Sequence, residues 1–108
     1  DMFKVATRTM ADLAAAVCRD AQISTHQIDW VIPHQANLRI IEAVAERLEL
    51  PMEKVLVTIQ HAGNTSAATI PTTLDHGVRS GKIQRGHLLL MVAFGAGSTS
   101  AATLVRYT

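Results

Sequence analysis

The amino-acid sequence predicts an α/β domain in which helices pack on a mostly parallel, mixed β-sheet. Short apolar or β-branched runs alternate along the chain with amphipathic stretches of helical period, the mark of βαβ units. The last two apolar runs are separated by a short glycine-containing stretch, which suits an antiparallel pair at a sheet edge. Hydrophobic residues make up 48% of the chain but aromatic ones only 4%. Ala, Val, Leu and Ile must therefore build the core, a palette suited to tight helix-on-sheet packing. The 108 residues allow one domain, 1–108, and not two.

Each element has its own signal. From about Phe3 to Ala21, the residues Met10, Leu13, Ala14 and Val17 recur at helical spacing and give a narrow, Ala-lined face. Ser24-Thr25-His26-Gln27 is a polar connection, and Ile28 to Ile32 reads as a short strand stopped by Pro33. A second helix runs from near Ala36 to about Glu49, with Leu38, Ile41, Val44, Ala45 and Leu48 as its apolar stripe. Pro51 ends it, Pro51 to Lys54 forms a single turn, and Val55 to Ile59 is a β-branched strand. The third helix covers Ala67 to about Ser80, capped by Thr65 or Ser66. Pro71 either kinks it or delays its start. Gly81 and Gly86 bracket a turn, Leu88 to Phe94 has the composition of a fully buried strand, and Ala101 to Tyr107 is the last strand.

Composition also excludes several functions. The net charge is +1 and the ten basic residues are scattered along the sequence, so no footprint for nucleic acid appears. The single cysteine, Cys18, cannot form an internal disulfide, which fits a reducing, cytoplasmic setting. Leu88 to Gly97 is about half the length of a membrane-spanning helix. The chain begins at Asp1 with no targeting segment and no strand before its first helix, as expected of a piece of a longer protein.

Two polar side chains stand where an open α/β sheet binds ligands, just past strand ends. His34 follows the first strand within Pro33-His34-Gln35-Ala36-Asn37, and Asn64 follows the second within Gly63-Asn64-Thr65-Ser66-Ala67-Ala68. A lone histidine in a connection has packing as its alternative, and a lone asparagine has a turn or cap. Together, on neighbouring parallel strands, an imidazole N–H and an amide become a donor pair for a developing oxyanion. Metal binding is the rival use. The five histidines form no HxH or HxxxH pair and no second cysteine is present, so no metal is expected. Cys18 lies inside a helix, whereas reactive thiolates favour helix N-termini or strained turns. It reads as filler. Gly95-Ala96-Gly97 joins strand to strand, so it suits close backbone approach better than a phosphate cradle.

These residues carry a resemblance. The stretch Asp29-Trp30-Val31-Ile32-Pro33-His34-Gln35-Ala36-Asn37-Leu38-Arg39-Ile40-Ile41 resembles the histidine motif of the β-ketoacyl-acyl-carrier-protein synthase III family. Gly63 to Ala68 resembles its asparagine motif, and Phe94-Gly95-Ala96-Gly97 and Leu104-Val105-Arg106-Tyr107 resemble its C-terminal glycine loop and last strand. The resemblance implies the C-terminal half of a thiolase-like fold, with the nucleophilic cysteine in an absent N-terminal half. It implies a Claisen condensation of acyl-CoA with malonyl-acyl carrier protein in fatty acid initiation, in a cofactor-free homodimer. It implies that His34 and Asn64 stabilise the malonyl thioester enolate and that Asn37 lines the pantetheine tunnel. Arg39 would help dock the carrier protein, and an amide of Gly95-Ala96-Gly97 would complete the oxyanion hole. Ser98 and Ser100 stand where the family often has Phe and Trp, and Gln60-His61-Ala62 also departs from its usual residues. The acyl pocket therefore differs. A secondary-metabolism acyltransferase, or a non-catalytic binding partner on the same scaffold, are the alternatives.

Overall fold

A computed structural model describes residues 2–33, 38–56, 69–94 and 100–108. In chain order they form α1 (Met2–Asp20), β1 (Trp30–Pro33), α2 (Leu38–Arg47), α3 (Thr69–Arg79), β2 (Leu88–Phe94) and β3 (Ser100–Arg106), with 3₁₀ turns at Thr25–Gln27 and Met52–Lys54. The sheet order is β1-β2-β3. β1 runs parallel to β2, pairing Trp30 with Leu89 and Pro33 with Val92. β2 and β3 are antiparallel from Leu88–Arg106 to Phe94–Ser100. On the far side of β1, Val55 bridges Val31 in parallel and the Leu56 N–H donates to the Val31 carbonyl at 2.9 Å.

Alternation along the strands feeds two cores. Val31, Leu90 and Val92 join Met10, Ala14, Cys18, Ile41, Val44 and Ala45 beneath α1 and α2. Ile32 and Leu89 join Leu56 and Ile83 on the opposite face, where Leu74 and Val78 of α3 pack. Both faces of β1 and β2 are thus covered by helices, which is why these strands read as unbroken apolar runs.

Helices α1 and α2 end alike. Gln22 (φ 59°) and Glu49 (φ 58°) take left-handed conformations. Beyond them, the Ile23 and Leu50 N–H groups reach back to the Cys18 and Ala45 carbonyls at 3.0 and 2.9 Å. This is the Schellman closure, built here on residues other than glycine. The expected turn near residues 81–86 does carry left-handed glycines at both ends, Gly81 (φ 83°) and Gly86 (φ 93°). Helix α3 is already formed at Thr69, so Pro71 does not delay its start.

Polar contacts fasten the end of the sheet where β1 and β2 begin. Trp30 Nε1 donates to the Lys82 carbonyl at 3.1 Å and to His87 Nδ1 at 3.2 Å. The Gln84 N–H also donates to His87 Nδ1 at 3.1 Å, so the ring carries its proton on Nε2. His87 thus ties the turn after α3 to the start of β1. Lys54 Nζ donates to the Ile28 carbonyl at 2.9 Å, tying the second 3₁₀ turn, and with it Val55, to the start of β1.

The first strand departs from expectation. It begins at Trp30 and includes Pro33, because Ile28 caps the 3₁₀ turn and Asp29 is engaged with Leu88. Leu38 departs too: it is 45% exposed at the start of α2, so the buried stripe begins at Ile41.

Candidate active site

Parallel pairing decides which edge of the sheet can carry chemistry. β1 and β2 point the same way with Pro33 level with Val92, and Val55 runs parallel to Val31. The chain therefore leaves β1, Leu56 and β2 toward one edge. The segment after Pro33 contains His34 and Asn37, that after Leu56 contains Asn64, and that after Phe94 contains Gly95, Ala96 and Gly97. These six residues lie outside the described ones. The edge at which their segments depart is the carboxyl end of the strands, where open α/β sheets bind ligands.

Arg39 is described. It is exposed on the first turn of α2, five positions after His34. Its guanidinium carbon sits 5.2 Å from the centre of the Phe3 ring on α1, within the range of a cation–π contact. The two helices thus start side by side, and both starts lie at the edge where β1 ends.

Between α1 and α2 runs a groove of ≈ 680 Å³ lined by Phe3, Lys4, Thr7, Arg8, Ala43, Glu46 and Arg47. Three cationic side chains and one carboxylate share it. Thr7 is buried there, and its hydroxyl has no hydrogen-bond partner among the described residues. In sequence these basic residues looked scattered, because Lys4 and Arg8 sit on one helix and Arg47 on another, about forty residues away. Only helix packing gathers them. The one-turn spacing of Lys4 and Arg8 was the available signal, and it is a weak one.

Cys18 is 2% exposed inside the α1 core. Burial pushes its thiol above the ordinary value by penalising the thiolate. A nucleophile needs the opposite shift, so Cys18 is a packing residue.

Comparisons with known proteins agree with this architecture. The profile of the family described as 3-oxoacyl-[acyl-carrier-protein (ACP)] synthase III C terminal matches residues 18–107. The β-ketoacyl-[acyl-carrier-protein] synthase III of Xanthomonas campestris pv. campestris is 52% identical over 107 residues, covering 99% of this chain and 33% of that protein. The crystal structure of 3-oxoacyl-[acyl-carrier-protein] synthase III from Aquifex aeolicus VF5 superposes with a TM-score of 0.94 at 50% identity, over 98% of this chain and 34% of that one. The corresponding structure from Pseudomonas aeruginosa PAO1 gives 0.92 at 38% identity, over 98% and 33%. The chain spans about a third of the length of the relatives it matches. Its fold is the C-terminal part of a thiolase-like fold, helices on a mixed sheet as its residue pattern required. By the span of that match and its identity to these synthases, the chain belongs to the 3-oxoacyl-[acyl-carrier-protein] synthase III C-terminal family.

Proposed function

We propose that this chain is the malonyl-activating part of a β-ketoacyl-[acyl-carrier-protein] synthase III, which condenses acyl-CoA with malonyl-acyl carrier protein. The observation that carries the reading is the parallel alignment of three strand exits at one sheet edge, combined with membership of the family. The segments leaving that edge hold His34, Asn64 and the Gly95-Ala96-Gly97 run.

The acyl group is carried as a thioester on a cysteine of the N-terminal half, outside this chain. Malonyl thioester loses carbon dioxide, and the electron pair of the broken C–C bond moves onto the α-carbon and the thioester oxygen. His34 and Asn64 each donate a hydrogen bond to that oxygen as its charge grows, and pre-placed donors of this kind lower the barrier. The α-carbon then attacks the acyl carbonyl, whose oxygen is held by an amide of Gly95-Ala96-Gly97. The cysteine leaves as thiolate and the ketoacyl product departs on the carrier. Asn37 lines the pantetheine approach, and no cofactor is needed.

The carrier protein docks at the starts of α1 and α2. Arg39 stands at the rim, and Lys4, Arg8 and Arg47 make the adjoining groove net positive, complementary to an acidic partner. Leu38, exposed beside Arg39, adds an apolar contact. The whole protein is a cytoplasmic homodimer.

The test is malonyl decarboxylation by the full-length protein. His34→Ala or Asn64→Ala should each slow it by about 10²–10³-fold while leaving acyl transfer to the cysteine intact. Normal decarboxylation by either variant would overturn the donor assignment.

A further inference from the structure

We infer that His87 makes the turn between α3 and β2 proton-sensitive: protonation of its ring undoes two of the hydrogen bonds that close this turn onto β1.

Both bonds end on one atom. His87 Nδ1 accepts from Trp30 Nε1 at 3.2 Å and from the Gln84 N–H at 3.1 Å. An imidazole nitrogen accepts only while it carries no proton, and an imidazolium donates from both nitrogens. One protonation therefore sets a new donor against two existing ones. The two partners are not equally placed afterwards. The Trp30 indole keeps the Lys82 carbonyl at 3.1 Å, whereas the Gln84 N–H has no other partner among the described residues. The loss falls first on the Gln84 amide, then on the orientation of the indole, which is half-buried against the core cluster of Ile83 and Leu89.

Other bonds confine the response to the turn. The His87 N–H stays on the Gln84 carbonyl at 3.0 Å, the Tyr107 N–H stays on the His87 carbonyl at 2.9 Å, and Asp29 still holds the Leu88 N–H. The charged and titratable groups on the elements that meet here are few. Lys82 and Arg85 lie in the turn, His76 and Arg79 in the last turn of α3, and Asp29 just before β1. Arg106 and Tyr107 stand at the end of β3, with the Arg106 guanidinium on the Gly86 carbonyl at 2.8 Å. Among these side-chain types only imidazole ordinarily changes charge between about pH 5 and 8. His76 is thus the group to be separated from His87 by mutation.

The experiment is hydrogen–deuterium exchange of the full-length protein at about pH 7.5 and 5.5, corrected for the intrinsic pH dependence of exchange. In wild type, the peptide covering residues 82–88 should lose protection by about two- to ten-fold at the lower pH, the scale of one hydrogen bond. The peptide covering residues 89–94 should not change. His87→Asn, whose side chain does not titrate, should show no pH response. His87→Ala should show low protection at both pH values, and His76→Asn should respond as wild type does. In parallel, the Trp30 indole N–H resonance, identified by its absence in Trp30→Phe, should move with acid in wild type and stay in place in His87→Asn. Wild-type protein insensitive to acid by either readout would overturn the inference. So would an undiminished response in His87→Asn, wild-type protection in His87→Ala, a lost response in His76→Asn, or acid-induced exchange spread over the whole chain.

Discussion

Asp29 and Leu88 hold each other by two hydrogen bonds: the Asp29 N–H donates to the Leu88 carbonyl at 2.9 Å, and the Leu88 N–H donates to Asp29 Oδ2 at 2.7 Å. The side chain thus continues the β1–β2 ladder one step past the point where backbone pairing starts, at Trp30 and Leu89. With only four residues in β1, this clamp is a sizeable part of what sets its register. A hydrogen bond to a charged group contributes about 1.5–3 kcal/mol. Asp29→Ala should therefore destabilise the full-length protein by about that much in urea unfolding and speed exchange of the Leu88 amide hydrogen. Asp29→Asn keeps an acceptor oxygen and should lose less. An unchanged exchange rate at Leu88 in the alanine variant would show that the clamp does not protect it.

Gly77 marks a close approach between α3 and the core beneath it. A β-carbon there would lie 2.6 Å from Ile83 Cδ1 and 2.9 Å from both Ile83 Cγ1 and Leu56 Cδ1, and both neighbours are buried. Replacing a helical glycine by alanine ordinarily gains about 1 kcal/mol in propensity, whereas overpacking costs about 1–3 kcal/mol. Gly77→Ala should come out destabilising in thermal unfolding. Adding Ile83→Val, which removes the nearest methyl, should make the pair less damaging than the sum of the singles. A Gly77→Ala protein with a raised melting temperature would refute the contact.

Cys18 gives a prediction in pH. Its folded thiol is raised above the ordinary value by burial, so as pH climbs past the ordinary thiol range, about 8.5, the unfolded chain loses the proton first. Ionisation then favours the unfolded state. The stability attached to the protonated thiol is present below that range and is lost as pH rises toward the raised folded value. Wild type should therefore lose more melting temperature than Cys18→Ala between neutral and strongly alkaline pH. Peptide-level alkylation should leave Cys18 unmodified in the native protein and modify it in urea. Rapid native labelling would contradict the burial.

Alone, the 108-residue chain should show no condensation activity, since its one cysteine is a core residue. It should also self-associate. Ala102 and Leu104 of β3 pack toward α1, while Tyr107 packs on the opposite face. By alternation, Ala101, Thr103 and Val105 share the Tyr107 side. All three are exposed, Val105 at 39%, and β3 is the edge of the described sheet. An uncovered apolar face beside an open strand edge invites pairing. Light scattering of the purified chain should report dimers or larger species. Turnover, or a monodisperse monomer, would go against these expectations.

Periodicity made most of the fold legible. The spacing of Met10, Leu13, Ala14 and Val17 located α1, and the unbroken run Leu88 to Phe94 marked a strand buried on both faces. Tertiary partners set what periodicity could not. Leu38 fits the helical stripe yet is exposed, and burial along α2 begins only at Ile41. Ile28 reads as strand yet caps a turn, because Asp29 is claimed by Leu88. The motifs around His34 and Asn64 pointed to one sheet edge, and the parallel pairing of β1 with β2 and Val55 supplies that edge. The cations of the α1–α2 groove were invisible in the linear order, because proximity between helices is written only in how they pack.

The fastening of Trp30, His87 and Lys82, like the clamp of Asp29 on Leu88, sits at the end of the sheet opposite the carboxyl ends of β1 and β2. The contacts that fix the strands and the strand ends that would carry chemistry are therefore different residues. If the carboxyl edge carries the site, as proposed, its loops can change without touching the contacts that hold the strands in register. Such a division makes a scaffold easy to reuse.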